Sequence, residues 1–430
     1  MMEGMKECSL FKKIIVLQRF DKPNDTSAIP NTERVDEFLK SVPDLTPPPI
    51  VRTEFQDPVV VYYSSGTTGA PKAIVHAAGP LLLSLKKEGI LHRRMTPESV
   101  SLQYTTTGWI MYKSSIGNMI MGGRTIAYDG SPFAPDPKVL LRIVEQEKVT
   151  MLGISPRWMT ELMKNGIKPL EVGDMSSLVT VVSTGMVLPD QMFDWFYDEA
   201  FPAHVQLCNI SGGTDIAGCF VLENPLKPLY RGGCMGGCLG VPIAVYDHDV
   251  DDGQPGKAVA NGIAGDLVAT GAFPNIPLYL WNDGAKSPGP KYQDAYYSRF
   301  KGVWAQGDFC QVDPKTKSLF MLGRSDGVLN PSGVRFGSSD IYAVIEKFFP
   351  GQISESLCVG QRRPQDADER VVLFLLMKPG YQLDKKLVGE IKNTIARETT
   401  KRHVPKFIFQ VPEIPVSLSL SLHETTFSNK

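Results

Sequence analysis

The sequence predicts an α/β protein in two parts. The first is a large lobe on a helix-covered, mainly parallel sheet with a β-rich subdomain. The second is a small C-terminal α+β domain. Three observations carry this. Between residues 59 and 210, short apolar runs alternate with amphipathic stretches over short connections, the pattern of parallel strands returning through helices. Between 231 and 330 the composition shifts to Gly, Pro, Asp and Tyr with short strand-like runs. After Gly323-Arg324-Ser325-Asp326-Gly327 the pattern resets into a unit of about one hundred residues, the size of a small domain. The boundary falls at Asp326, giving domains 1–325 and 326–430.

In chain order, Lys13–Leu17 is a strand candidate, followed by a polar stretch ending at Pro47-Pro48-Pro49. Val59–Tyr63 reads as a buried strand. Residues 77–92 read as helix, with Leu81, Leu82, Leu83 and Leu85 as apolar positions. Asp136-Pro137 supplies an N-cap and a first-turn proline for a helix to about Lys148. Met151–Ile154, Leu178–Ser183 and Val205–Ile210 read as strands, and Pro156–Asn165 and Leu188–Ala200 as helices between them. Gly265–Thr270 and Leu319–Leu322 are strands of the β-rich region. In the last unit Asp340–Phe348 and Asp384–Arg402 read as helices, and Leu357–Gly360, Arg370–Met377 and Lys406–Gln410 as strands.

Composition narrows the function classes. The chain of 430 residues exceeds one typical core. A hydrophobic fraction of 42% suits globular packing. A formal net charge of −1 gives no global pull toward nucleic acid or an anionic membrane, so neither is an expected partner. The longest apolar run of note, Val371–Met377, is too short to span a bilayer, and the N-terminal MMEGMKECSLFKK has no signal-peptide pattern. Seven scattered cysteines predict reduced thiols and a cytoplasmic protein. Cys234 and Cys238 lie four apart without a second pair at zinc-finger spacing, and read as small residues of a glycine-rich turn.

The segment SSGTTGAPK at 64–72 follows the Val59–Tyr63 run. Gly66 and Gly69 free backbone N–H groups to turn toward an anion. Ser64, Ser65, Thr67 and Thr68 add hydroxyl donors, and Lys72 adds a cation. The Walker spacing is absent, because Pro71 precedes Lys72 and Ala73 follows it. The loop is thus a phosphate-binding candidate, with a plain mobile turn as the other reading. Ser211-Gly212-Gly213-Thr214-Asp215 follows the strand VQLCNI and sets a carboxylate beyond a turn at a strand's C-terminal end, where open α/β sheets bind ligands. Such an aspartate suits Mg²⁺ beside triphosphate oxygens, or is a turn residue. In Gln306-Gly307-Asp308 the carboxylate suits two ribose hydroxyls. GRSDG supplies Arg324 and Asp326, which otherwise read as a charged surface turn.

Together these segments resemble the adenylate-forming superfamily of acyl-CoA synthetases, adenylation domains and luciferases. The phrases YTTTGWIMYKSS, GGRTIAYDGSP, SGGTDI, LGRSDGVLNPSGVRFGSSDIY and RHVPKFI are similar to its acetoacetyl-CoA synthetase branch, from about Leu10 to Val416. The resemblance implies a ligase that uses ATP, Mg²⁺ and coenzyme A on a small carboxylic acid, by default acetoacetate, in a lipid or secondary-metabolite pathway. It implies that Ser65, Gly66, Thr67, Thr68, Gly69 and Lys72 steady the β- and γ-phosphates. It implies that Ser183, Thr184, Gly185, Gly212, Gly213 and Thr214 flank the adenine and acyl pocket, that Asp215 assists Mg²⁺, and that Asp308 and Arg324 bind ribose. Trp109, with Gly185 and Gly213, would wall the acyl side; a core tryptophan is the other reading. Asp326 would be the hinge, and Ser332, Gly333 and Arg335 would approach the thiol acceptor after rotation, Arg335 otherwise making a structural salt bridge.

The chain also departs from that pattern. Only 63 residues precede Ser64, where the superfamily carries a longer first lobe, so apolar faces are expected to be exposed. Aligned on Pro415, Leu420 and Ser421 stand where the superfamily has Gly-Lys. Gly233 stands in an acidic position, and Gln306 before Gly307 is a further difference. A nucleotide- or acyl-binding remnant without adenylation activity is therefore the second reading.

Overall fold

The computed structural model describes residues 8–18, 25–41, 43–44, 46–64, 72–284, 288–325, 328–329, 336–361 and 370–414. It divides into two units, Met1–Thr53 and Glu54–Lys430. In the first, Ile14–Val16 pairs in parallel with Thr32–Arg34, and the helix Val35–Lys40 follows. Lys13 forms an ion pair with Glu33 between the two strands.

The second unit is organised on a five-stranded parallel sheet. Its spatial order is Arg124–Ile126, Val100–Gln103, Met151–Ile154, Thr180–Ser183, Gln206–Asn209. Met151–Ile154 and Thr180–Ser183 are buried throughout, so both faces are covered there and the runs need no alternation. Leu102, Leu140, Leu152, Trp158, Leu162, Val181 and Leu207 fill the core around them. The helix Pro156–Lys164 starts cleanly because Ser155 Oγ accepts the Trp158 N–H at 3.4 Å and Pro156 occupies the first turn. The next expected cap works differently. Asp136 Oδ1 accepts the Lys138 N–H at 2.8 Å in a turn, and the helix itself runs Val139–Glu147.

Val59–Tyr63 is corrected. The strand Pro58–Ser64 is the edge of a three-stranded sheet, with Val59 53% and Tyr63 64% exposed. The buried strand is Lys72–Ala77, which pairs antiparallel with it and carries Ile74 and Val75 at the centre. Valine and tyrosine favour strands of either kind, so the residue types alone did not separate edge from centre.

The β-rich region contains the antiparallel sheet Ile243–Tyr246, Ala264–Ala269, Trp304–Val312, Leu319–Arg324, in that spatial order. Beyond it, Ile353–Gln361, Arg370–Met377 and Phe407–Gln410 form a three-stranded sheet beside the helices Ser338–Phe348 and Lys385–Glu398. Phe336, Ile341, Leu373, Ile391 and Ile395 pack there into an apolar cluster of their own. The helices Ala78–Lys86 and Tyr112–Ile120 meet where Gly117 leaves room for Leu85. They turn Leu82, Leu83, Ile116 and Met119 outward as exposed apolar residues. Among the described residues no helix is long and apolar enough to cross a membrane.

Candidate nucleotide site

The site is built at the C-terminal ends of Thr180–Ser183 and Gln206–Asn209. After the second of these strands, Ser211–Gly213 leaves the parallel sheet and pairs antiparallel with Gly218–Leu222. The crossing is tight. A Cβ at Gly212 would stand 2.1 Å from the Gly218 carbonyl oxygen, and one at Gly213 would stand 2.9 Å from Gln306 Nε2. Only glycine lets the chain fold back here, and the fold-back holds Thr214 and Asp215 at the strand end.

Lys72, the first residue of its own strand, reaches the same point from another sheet. Its Nζ is 2.5 Å from Asp215 Oδ1. Tyr296, on the helix Pro290–Tyr297, donates its hydroxyl to that oxygen at 2.7 Å. Lys72 Nζ also lies 4.8 Å from the centre of the Tyr296 ring, a cation–π distance. Burial pushes the Asp215 carboxyl up, but the charge and hydrogen bond of Lys72, the Tyr296 hydroxyl and Arg324 together hold it below its ordinary value. It is therefore an anion near neutral pH.

His76 stands behind this pair, with Nε2 3.3 Å from the Thr214 carbonyl oxygen. Burial lowers its pKa to about 4, so the ring is neutral in the fold. The unfolded chain takes up the proton that the fold refuses. The stability involved is complete above pH 6.5 and is lost as pH falls toward 4. The loss attributable to His76 is about 3 kcal/mol. Urea unfolding at pH 7 and pH 4 is expected to show that much more acid destabilisation in the wild type than in His76→Gln; equal slopes would refute the assignment.

A second cluster lies in the β-rich sheet. Asp308 and Arg324 are register partners, and Arg324 Nη1 is 3.4 Å from Asp308 Oδ1. Gln306 Nε2 donates to Asp308 Oδ2 at 3.1 Å, and Trp304 Nε1 donates to Gln306 Oε1 at 3.4 Å. Gly307 has a φ of +86°, and a Cβ there would meet Arg324 Nη2 at 2.4 Å. Gln306 joins the two clusters, since it contacts both Asp308 and the space over Gly213.

On the third side, Gly185 at φ +103° faces Trp109, whose ring would be 3.2 Å from a Cβ there. Trp109 is half-buried and also packs against the core cluster that contains Cys208 and Ile210. Thr184 Oγ1 donates to the Ile210 carbonyl at 3.1 Å and ties the two strand ends together, and Ser183 is buried below it.

The structure thus brings together Lys72 with Asp215, Asp308 with Arg324, and Trp109 with Gly185. Ser65, Gly66, Thr67, Thr68, Gly69, Asp326, Ser332, Gly333, Arg335, Leu420 and Ser421 lie outside the described residues. Among the described residues no group of three or more His, Cys, Asp or Glu stands ready to hold a metal by itself. Sequence reasoning missed Tyr296, Trp304 and His76. The aromatic density of YQDAYYSRFKGVW was the one visible signal.

Comparison with known proteins agrees with this architecture. The family model described as AMP-binding enzyme matches residues 6–276. The chain is 41% identical to the acetoacetyl-CoA synthetase of Mus musculus over 397 residues, covering 92% of this chain and 57% of that protein. It is 41% identical to the acetoacetyl-coenzyme A synthetase of Rhizobium meliloti over 364 residues, covering 85% of this chain and 54% of that one. Among solved structures, acetoacetyl-CoA synthetase from Streptomyces lividans superposes with a TM-score of 0.81 at 31% identity, covering 95% of this chain and 59% of that one. The chain therefore spans less than three fifths of the length of these relatives. A match over well more than half of its own residues, on the fold and strand-end constellation just described, means that the chain belongs to the AMP-binding enzyme family.

Proposed function

We propose that this chain supports an ATP-dependent acid–thiol ligase, which joins a small carboxylic acid to coenzyme A through an acyl-adenylate. The observation that carries the reading is the meeting of Lys72 and Asp215 at the strand ends, linked through Gln306 to the Asp308–Arg324 pair. An ammonium and a carboxylate suit a triphosphate with its counter-cation, and a carboxylate–guanidinium pair suits ribose hydroxyls.

Mg²⁺ fits the donor set. It favours one or two carboxylates plus phosphate oxygens over an all-protein cage, which is what the half-buried, anionic Asp215 offers. When bound it would draw charge from the phosphates. Lys72, released from Asp215, would then neutralise phosphate oxygens. In the first step a carboxylate oxygen of the acid bonds to the α-phosphorus as the bond to pyrophosphate breaks. In the second, a thiolate bonds to the acyl carbon and AMP leaves. A fixed cation near the reacting phosphate lowers the barrier because it needs no reorganisation during reaction.

Trp109 against Gly185 limits the acyl side to a short acid, with acetoacetate as the default, by analogy with the named relatives. We take 326–430 as the mobile small domain, Asp326 as its hinge, and Ser332, Gly333 and Arg335 as its contribution to the thiol step. Seven cysteines, none of them in a disulfide, support a reducing, cytoplasmic setting.

Calorimetric titration with ATP and Mg²⁺ tests the reading. One-site binding is expected, and folded protein that binds no ATP would exclude it. ATP binding without carboxylate-dependent pyrophosphate exchange would favour the binding remnant instead.

A further inference from the structure

Tyr296 is 1% exposed, and a buried phenol must place its proton on an acceptor. Its neighbour Tyr292 does this in the ordinary way, donating to the Pro277 carbonyl at 3.0 Å. Tyr296 instead donates at 2.7 Å to Asp215 Oδ1, on an element far away in sequence. Lys72 bonds the same oxygen, so two donors on one oxygen fix the rotation of the carboxylate. The helix carrying Tyr296 is itself anchored: Asp283 accepts the N–H groups of Lys291 at 2.8 Å and Tyr292 at 2.7 Å.

The ring has two further contacts. One face stacks on Trp304 with centroids 3.9 Å apart at 11°. Trp304 is 2% exposed, braced edge-on by Phe273 at 5.6 Å, and hydrogen-bonded to Gln306. The ring also holds Lys72 Nζ at 4.8 Å. When Lys72 turns from Asp215 toward a phosphate, the ring remains under it while the hydroxyl still holds the carboxylate.

We propose that Tyr296 is a positioning residue: its hydroxyl sets the Asp215 carboxylate for the divalent cation of a metal–nucleotide pair, and its stack on Trp304 keeps that carboxylate in register with Asp308 and Arg324. This rests on the nucleotide reading above. It assigns to the helix Pro290–Tyr297 a role that none of its backbone contacts requires.

Tyr296→Phe tests it, because the variant keeps the ring, the stack and the cation face and removes one hydroxyl. ATP affinity is measured by calorimetry in EDTA and across a Mg²⁺ titration. The Mg²⁺ concentration giving half the gain in ATP affinity is expected to rise about tenfold, the effect of one hydrogen bond to a charged group. ATP affinity in EDTA is expected to stay within about twofold, whereas a merely structural role would weaken both arms alike. In an Asp215→Asn background, Tyr296→Phe is expected to cause no further shift. An unmoved Mg²⁺ midpoint, or full additivity with Asp215→Asn, overturns the positioning role while ATP binding still upholds the nucleotide reading. Absence of ATP binding by the wild-type chain overturns both.

Discussion

Lys72→Met is expected to lower carboxylate-dependent ATP–pyrophosphate exchange by about a hundred- to a thousandfold, the cost of removing one preorganised group from a developing phosphate charge. Methionine nearly matches the lysine in length, so the loss is of charge more than of packing. The lysine has two candidate duties, because in the fold it also neutralises Asp215 at 2.5 Å. The double variant Lys72→Met/Asp215→Asn separates them by ATP affinity in EDTA, where no divalent cation is left for Asp215 to hold. If Lys72 served only to balance Asp215, Asp215→Asn and the double variant would bind ATP alike. If it faces phosphate, the double variant binds ATP more weakly. A loss under tenfold in Lys72→Met would show that the cation is not directed at the nucleotide. Pyrophosphate exchange is the right measurement because it reports adenylate formation without the thiol step.

The second large effect is on stability. Glu223→Ala is expected to cost about 3–5 kcal/mol, the range for breaking a buried ion pair by removing one partner. Arg93 Nε lies 3.0 Å from Glu223 Oε1, with the two side chains 5% and 1% exposed. Arg93 also donates to Ser114 Oγ at 3.3 Å, and His92 Nδ1 is 2.7 Å from the Glu223 carbonyl oxygen. Burial lowers the Arg93 pKa, but the Glu223 charge outweighs it and raises the net value. An arginine does not give up its proton in a protein, so the guanidinium stays charged if its partner goes. Arg93→Leu added to Glu223→Ala is expected to recover most of the loss, because no lone charge remains. Urea unfolding measures both. A Glu223→Ala cost below about 1 kcal/mol would show that water reaches the pair.

The same network explains why part of the fold was hidden in the sequence. Met151–Ile154 and Thr180–Ser183 were legible because both faces are buried and apolar residues such as Leu152, Val181 and Val182 hold their centres. The helix Tyr112–Ile120 was not, because it buries Lys113, Ser114, Ser115 and Asn118. Lys113 is satisfied by Glu88 at 3.2 Å, and Asn118 donates its Nδ2 to the Arg124 carbonyl at 2.7 Å. Partners so distant in sequence leave no periodic stripe to read. The strand Val100–Gln103 is hidden likewise, with buried Ser101 paired to Thr125 Oγ1 at 3.3 Å. Lys72–Ala77 was missed because its first residue looked like the end of a loop.

At the site, glycines and charges in short phrases pointed to Lys72, Asp215, Asp308 and Arg324, since those residue types are rarely assembled that way for packing alone. Tyr296 and Trp304 carry no such signature. An aromatic residue that holds a carboxylate and one that fills a core have the same letters and spacing. Only the destination of the hydroxyl distinguishes them.

The seven cysteines also bear on how the protein can be handled. Six are buried and Cys8 is exposed. Burial pushes the Cys234 thiol to about 12 and Cys238 to about 11, and drives Cys208, Cys219 and Cys310 upward as well. A maleimide dye at neutral pH therefore meets one reactive sulfur in the native chain, which makes Cys8 a ready attachment point without mutagenesis. Counting modified thiols by mass spectrometry would then read the unfolded fraction directly, because each global opening exposes the other six at once.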